Sequence, residues 1–121
     1  MDQGQDVTPE PLVSVLMNCY NGEKYLREAI DSVLAQNYQN WEIIFWDNQS
    51  TDGSVEIFKS YADPRFKYFR ALNHTDLYEA RNRALEKASG EFIAFLDVDD
   101  WWLPNKLRKQ IPLFSDPEVG I

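Results

Sequence analysis

The stretch Phe92-Ile93-Ala94-Phe95-Leu96-Asp97-Val98-Asp99-Asp100 decides how this chain reads. Five apolar residues run directly into three carboxylates spread over four positions. An unbroken apolar run of this length predicts a strand buried on both faces. The carboxylates then fall at its C-terminal end, where open α/β sheets bind their ligands. Three acids so close together repel one another unless a cation or a dense set of donors compensates. Hard divalent metals take carboxylate oxygens, and Mg²⁺ or Mn²⁺ held this way commonly meets a substrate phosphate. The pattern points to a metal–phosphate site. The competing reading is an acidic, solvated loop ahead of the helix that starts at Pro104, complementing the positive end of its dipole.

Composition narrows the partners. The 121 residues make one domain or part of one, and 44% hydrophobic content supplies a real core. A formal net charge of −8, with pI about 4.5, argues against a nucleic-acid binder, which needs a basic face. It also means that a phosphate ligand needs a metal or local Arg and Lys to offset repulsion. Cys19 is the single cysteine, so no intrachain disulfide forms, which fits a reducing compartment and a cytoplasmic location. No apolar run approaches the roughly 18 residues that span a bilayer. Residues 1–10 are polar, lack the pattern of a signal peptide, and read as a disordered leader to a domain at 11–121. Four Trp, six Tyr and seven Phe are many for this length, enough for the core and for a planar ligand besides.

Strand and helix patterns alternate along the whole chain, which predicts a Rossmann-like α/β fold: a parallel sheet with helices on both faces. Strands are expected at 12–17, 41–46, 66–72 and 91–96. Helices are expected at 23–35 with Asn21 as N-cap, from Asp52 to about 62, at 76–89 with Gly90 just beyond, and from 104 to an interruption at Pro112. In that topology the loops 18–22, 47–53 and 97–102 gather at the C-terminal edge of the sheet and form one crevice.

Several side chains around this crevice carry chemistry. Tyr20 can stack on a planar base, or fold back over the first helix. Asp47 can accept from a base N–H and Asn48 can donate and accept, while the same residues suit an Asx turn leading into Ser50-Thr51-Asp52-Gly53. Arg81 borders the inward stripe of the third helix and can hold a carboxylate or phosphate. Arg83 is better explained by an intrahelical pair with Glu79. His74 is the sole histidine and lacks the neighbours of a metal or base site. Cys19 has no histidine near it in sequence to make it a nucleophile. No Gly-rich P-loop and no GxGxxG pattern is present.

Taken in order, the motifs resemble the N-terminal, nucleotide-sugar-binding half of glycosyltransferase family 2, of the GT-A fold. They are Val13-Ser14-Val15-Leu16-Met17-Asn18-Cys19-Tyr20-Asn21-Gly22, Asp47-Asn48-Gln49-Ser50-Thr51-Asp52-Gly53-Ser54, Ala80-Arg81-Asn82-Arg83-Ala84-Leu85, the Gly90 to Asp100 run, and Pro104-Asn105-Lys106-Leu107. The resemblance implies that this half binds a nucleotide-diphosphate sugar, most readily a UDP-linked one, for glycosyl transfer. It implies a divalent cation, Mn²⁺ or Mg²⁺, on Asp99 and Asp97, with Asp97 facing ribose or metal. It implies stacking of the base on Tyr20, base contacts from Asp47 and Asn48, and Arg81 near the nucleotide, with Asn18 and Asn21 completing the binding set.

Two departures stand out: Asn48 replaces a second acid in its turn, and Asn18 and Cys19 replace a proline or small residue. Members of the family run on for roughly another hundred residues, by the usual size of such domains. That second half carries the acceptor site and a carboxylate base, so 11–121 reads as a truncated GT-A-like domain, doubtful in transfer and with its acceptor unknown. The strand 91–96, apolar at every position but Glu91, is then expected to be an open edge through which two copies pair. The alternatives are a non-catalytic nucleotide-binding or assembly module and, ranked last, a receiver-like domain, which needs acids directly after its first strand.

Overall fold

The computed structural model describes residues 10–114. Eight elements alternate without exception: β1 (Val13–Cys19), α1 (Glu23–Leu34), β2 (Trp41–Asp47), α2 (Ser54–Lys59), β3 (Phe66–Arg70), α3 (Leu77–Glu86), β4 (Phe92–Phe95) and α4 (Lys106–Phe114). The four strands form one parallel sheet in the order β3-β2-β1-β4. Successive strands step outward from β1 to β3, and β4 then returns to the other side of β1. The strand order reverses at β1, so the C-terminal ends of β1 and β4 are where a ligand crevice opens.

Side chains alternate across the strands, and each parity finds its own cover. Val13, Val15 and Met17 of β1 and Ile43 and Phe45 of β2 pack under Leu26, Ile30 and Val33 of α1, Phe58 of α2 and Leu107 of α4. Leu16, Ile44 and Trp46 pack on the opposite face against Ala80 and Ala84 of α3, small residues that let the helix lie close. The helices therefore cover both faces, as the alternating pattern predicts.

A buried carboxylate inside this sandwich is fully matched. Glu42 lies in the centre of the sheet and is almost fully buried. It accepts hydrogen bonds from Ser14 Oγ at 2.6 Å, Lys67 Nζ at 2.8 Å and the Ser89 amide at 2.8 Å. Burial pushes its carboxyl upward, but the donors from Lys67, Ser14 and Ser89 outweigh that and bring it down to about 2. At Gly90 the chain crosses β1 so closely that a Cβ would sit 2.7 Å from Leu12 O and Ser14 N, so only glycine fits.

Several boundaries and roles differ from the sequence reading. β4 is a short edge strand and not one buried on both faces: Ala94 and Leu96 are buried, whereas Phe95 is 48% exposed. The doubly covered strands are β1 and β2, because α3 lies over those two, with Phe69 of β3 and Ile93 of β4 only partly buried at its margins. α2 and α3 each end earlier than expected, at Lys59 and Glu86, since the loops that follow supply their own turns. Pro112 does not interrupt α4, which loses one backbone donor there and continues to Phe114. The expected leader lies outside the described residues except for Glu10, whose carboxylate pairs with Arg108 and whose carbonyl accepts from Asn40.

Candidate functional site

Two loops at the C-terminal edge brace each other helix end to helix end. The Glu23 amide at the start of α1 donates to the Asp52 carboxylate at 3.2 Å, while the Gly53 amide ahead of α2 donates to the Glu23 carboxylate at 3.1 Å. Each helix thus receives a carboxylate at its positive end from the other loop. Burial tends to raise the Asp52 carboxyl, but bonds from the Ser54 hydroxyl and from the Ser54 and Glu23 amides hold it below the usual range. Asn21 takes the left-handed backbone conformation, φ 52°, which Asn tolerates. The N-cap of α1 is Gly22, not Asn21. The Asn21 side chain is turned instead to the second loop, where its Oδ1 accepts from the Thr51 amide at 2.7 Å. Ser50 Oγ and Ser54 Oγ accept from the Asn21 and Gly22 amides, each at 2.9 Å.

Gly22 also sets the acidic loop. A Cβ there would lie 2.6 Å from Val98 Cγ2, so the middle residue of Asp97-Val98-Asp99 is seated directly on the first loop. With Val98 turned inward, both flanking aspartates stay exposed. Arg81 of α3 reaches over the same end of β4, 3.6 Å from Asp97 Oδ1, with its guanidinium 5.5 Å from the Phe95 ring centre. Arg83 pairs with Glu79 at 3.3 Å along its own helix, as its spacing implies. Asp100 closes a turn, its amide donating to the Asp97 carbonyl at 3.0 Å and its carboxylate accepting from the Trp101 amide.

Asn18, Tyr20, Lys24, Tyr25, Asp97 and Asp99 line a cleft of about 470 Å³ between these loops. Tyr20 is 53% exposed and does not fold over α1. Its ring meets His74, with centres 4.5 Å apart and planes inclined 61°. Asn18 lines the same cleft, and its Oδ1 is buried without a hydrogen-bond partner among the described residues.

Asp47 and Asn48 behave differently from a pair that faces a ligand. Asp47 is fully buried. One carboxylate oxygen accepts from the Ser50 amide at 2.9 Å, and the other from Arg70 at 2.7 Å and Tyr68 Oη at 3.1 Å. Asn48 spends its amide on Thr75: Nδ2 donates to the Thr75 carbonyl at 2.8 Å and Oδ1 accepts from the Thr75 amide at 3.0 Å. The base contacts expected of these two side chains are thus already taken up by the protein. Their effect is to hold the segment after β3 over the end of β2, which brings His74 beside Tyr20. Nothing in the spacing of the lone histidine marks this, because the placement depends on the pairing of Asn48 with Thr75. Cys19 is buried, and burial raises its thiol, so it is no nucleophile.

Among the described residues no group of three or more His, Cys, Asp and Glu side chains is arranged to hold a metal. Two exposed carboxylates at one loop nevertheless suit Mg²⁺ or Mn²⁺, which take few protein ligands and fill the remainder with water and phosphate oxygens. No helix among the described residues is long and apolar enough to cross a membrane.

A four-stranded parallel sheet that reverses at β1 and carries helices on both faces is the architecture of the N-terminal half of a GT-A fold. The chain belongs to glycosyl transferase family 2, whose pattern matches residues 14–121. It is 43% identical over 109 residues to the Escherichia coli protein UDP-Glc:alpha-D-GlcNAc-diphosphoundecaprenol beta-1,3-glucosyltransferase WfgD, covering 90% of this chain and 43% of WfgD. In structure it is similar to residues 1–349 of TarS from S. aureus, crystallised with UDP: TM-score 0.79 at 29% identity, over 86% of this chain and 32% of that one. It is likewise similar to the mannosyltransferase PcManGT from Pyrobaculum calidifontis, in complex with GDP-Man and Mn²⁺: TM-score 0.80 at 27% identity, over 93% of this chain and 35% of that one. The chain spans less than half the length of the curated relatives it matches.

Proposed function

We propose that this domain binds the nucleoside-diphosphate part of a sugar donor for glycosyl transfer, with Asp97 and Asp99 holding Mn²⁺ or Mg²⁺ against the diphosphate. The observation that carries this reading is the pair of exposed carboxylates anchored through Val98 on Gly22, in the same cleft as the exposed ring of Tyr20. A divalent ion there would neutralise the diphosphate and stabilise the leaving nucleotide as the glycosidic bond breaks. The chain's own groups bind and orient. Tyr20 stacks on the base. Arg81 steers Asp97 and adds positive charge beside the diphosphate. Asn18 faces the nucleoside. Asp47, Asn48 and Asn21 act one step back, by fixing the loops that carry Tyr20 and Val98.

UDP is the first nucleotide to test, because TarS was crystallised with UDP and WfgD is named for a UDP-glucose donor. PcManGT with GDP-Man makes GDP the second. No general base for an acceptor hydroxyl is evident in the cleft, so transfer requires groups beyond those described. The test is calorimetry with UDP, with Mn²⁺ and with EDTA: binding strengthened by Mn²⁺ supports the reading, and equal affinity in both refutes it.

The exposed edge at β4 supports a second proposal, that copies of the chain pair there. Phe95 is 48% exposed, and Trp101 and Leu103 next to it are 56% and 61% exposed. Such an edge templates strand pairing. Sedimentation at micromolar concentration should give a dimer, and a monomer would contradict it. The buried single thiol is compatible with the cytoplasm as the working location.

A further inference from the structure

We propose that His74 reads the base of the bound nucleotide, accepting a hydrogen bond at Nε2 from a ring N–H, and so selects uracil or guanine over cytosine and adenine. This rests on the reading that the cleft binds a nucleoside diphosphate.

A base N–H laid near Tyr20 needs an acceptor, and Asp47 and Asn48 do not supply one, while Asn18 Oδ1, without a partner among the described residues, is buried below the cleft surface. Both oxygens of the fully buried Asp47 carboxylate are engaged within the protein, and Asn48 Oδ1 already accepts from the Thr75 amide. His74 is built for the task. Its Nδ1 lies 3.0 Å from the Asn48 carbonyl, and a carbonyl can only accept, so Nδ1 carries the proton. In the neutral ring that leaves a lone pair at Nε2, which has no partner among the described residues.

The ring is also held in place. Asn48 clamps Thr75 from both sides of its backbone, and Tyr20 meets the imidazole at 4.5 Å. Two exposed rings inclined at 61° make a corner. A planar base laid on Tyr20 presents its edge to the imidazole. Uracil offers N3–H there and guanine N1–H, each a donor, whereas the ring nitrogens of cytosine and adenine offer lone pairs that repel Nε2. The site is thereby selective through an acceptor that cannot become a donor without a change of tautomer or charge.

The test compares UDP and GDP with N3-methyl-UDP and N1-methyl-GDP, by calorimetry in Mn²⁺, on the unaltered chain, His74→Phe and His74→Gln. Phe keeps a flat ring without the acceptor, and Gln restores an acceptor without the ring. The unaltered chain should bind its preferred parent nucleotide about tenfold more tightly than the methylated one, the equivalent of one good hydrogen bond. His74→Phe should bring that ratio close to one, and His74→Gln should keep part of it. A ratio unchanged in folded His74→Phe overturns the proposal, as does an equal weakening toward every nucleotide, which would make His74 a wall only. If the unaltered chain binds UDP and GDP with Mn²⁺ but without regard to methylation, the base-reading role fails while the nucleotide site stands. If it binds neither, both fall together.

Discussion

Tyr20 and Asp47 differ in what a substitution would reveal, one being exposed in the cleft and the other fully buried. Tyr20→Ala should weaken nucleotide binding by ~1–3 kcal/mol, whereas Tyr20→Phe should change little, because stacking uses the ring and not the hydroxyl. Titration calorimetry on folded variants checks this, and full affinity in Tyr20→Ala would remove the tyrosine from the site. Asp47→Ala should act through the fold. It strips a fully buried carboxylate from Arg70, Tyr68 and the Ser50 amide and should cost about 2–3 kcal/mol in a denaturant melt. Nucleotide binding should weaken only as far as the loops shift. Chain position alone brings Tyr20, Asp97 and Asp99 to one cleft, with Arg81 beside Asp97, because each follows the C-terminal end of a strand or borders the helix over it; their roles toward a nucleotide are proposed above. It also puts Asp47 and Asn48 at the C-terminal end of β2, but both side chains are buried and turned to protein partners. Which way a side chain turns depends on partners far along the chain, here Arg70 and Thr75, and no local pattern encodes that. The position of His74 beside Tyr20 depends likewise on the pairing of Asn48 with Thr75, which no local pattern encodes.

At the level of elements, the Glu42 carboxylate joins β1, β2, β3 and the turn before β4. Its carboxyl lies near 2 in the folded chain against 4.5 for an ordinary glutamate. The folded state therefore binds its proton less readily than the unfolded one. The resulting stability, roughly 3 kcal/mol, is fully present above about pH 4.5 and is lost as pH falls toward 2. Denaturant titrations between neutral pH and pH 3 should show this loss, and Glu42→Gln should flatten it; an equally steep loss in Glu42→Gln would assign it elsewhere. Gly22→Ala tests the seating of the acidic loop. The added methyl meets Val98 Cγ2 at 2.6 Å and should cost about 1–3 kcal/mol of overpacking while displacing Asp97 and Asp99. Mn²⁺-dependent binding should then suffer more than binding in EDTA. An unchanged Mn²⁺ effect would show that Val98 does not position the carboxylates. Element type and order followed from apolar periodicity alone. The covering of each strand did not: β4 is the edge strand that the resemblance implies, yet the apolar run before Asp97 reads as doubly buried while Phe95 stays exposed, because facial burial depends on where the helices lie.

For the molecule as a whole, the governing fact is charge. A chain of net −8 that gathers exposed aspartates at the reversal of its sheet repels a diphosphate unless a cation stands between them. The parallel sheet and its helices on both faces were foreseeable from the alternating pattern, and the family follows from the match across 14–121. Acceptor chemistry does not follow from the motifs, since their residues line the donor-side cleft and none of them identifies an acceptor. The most direct measurement is the affinity of UDP in Mn²⁺ and in EDTA, for the unaltered chain and for Asp99→Ala. The unaltered chain should bind UDP more tightly by at least about tenfold in Mn²⁺, a gain of about 1.4 kcal/mol, and Asp99→Ala should lose that gain while keeping its fold. Equal affinity in Mn²⁺ and EDTA, or a Mn²⁺ gain that survives Asp99→Ala, would contradict a metal-bridged nucleotide site at Asp97 and Asp99.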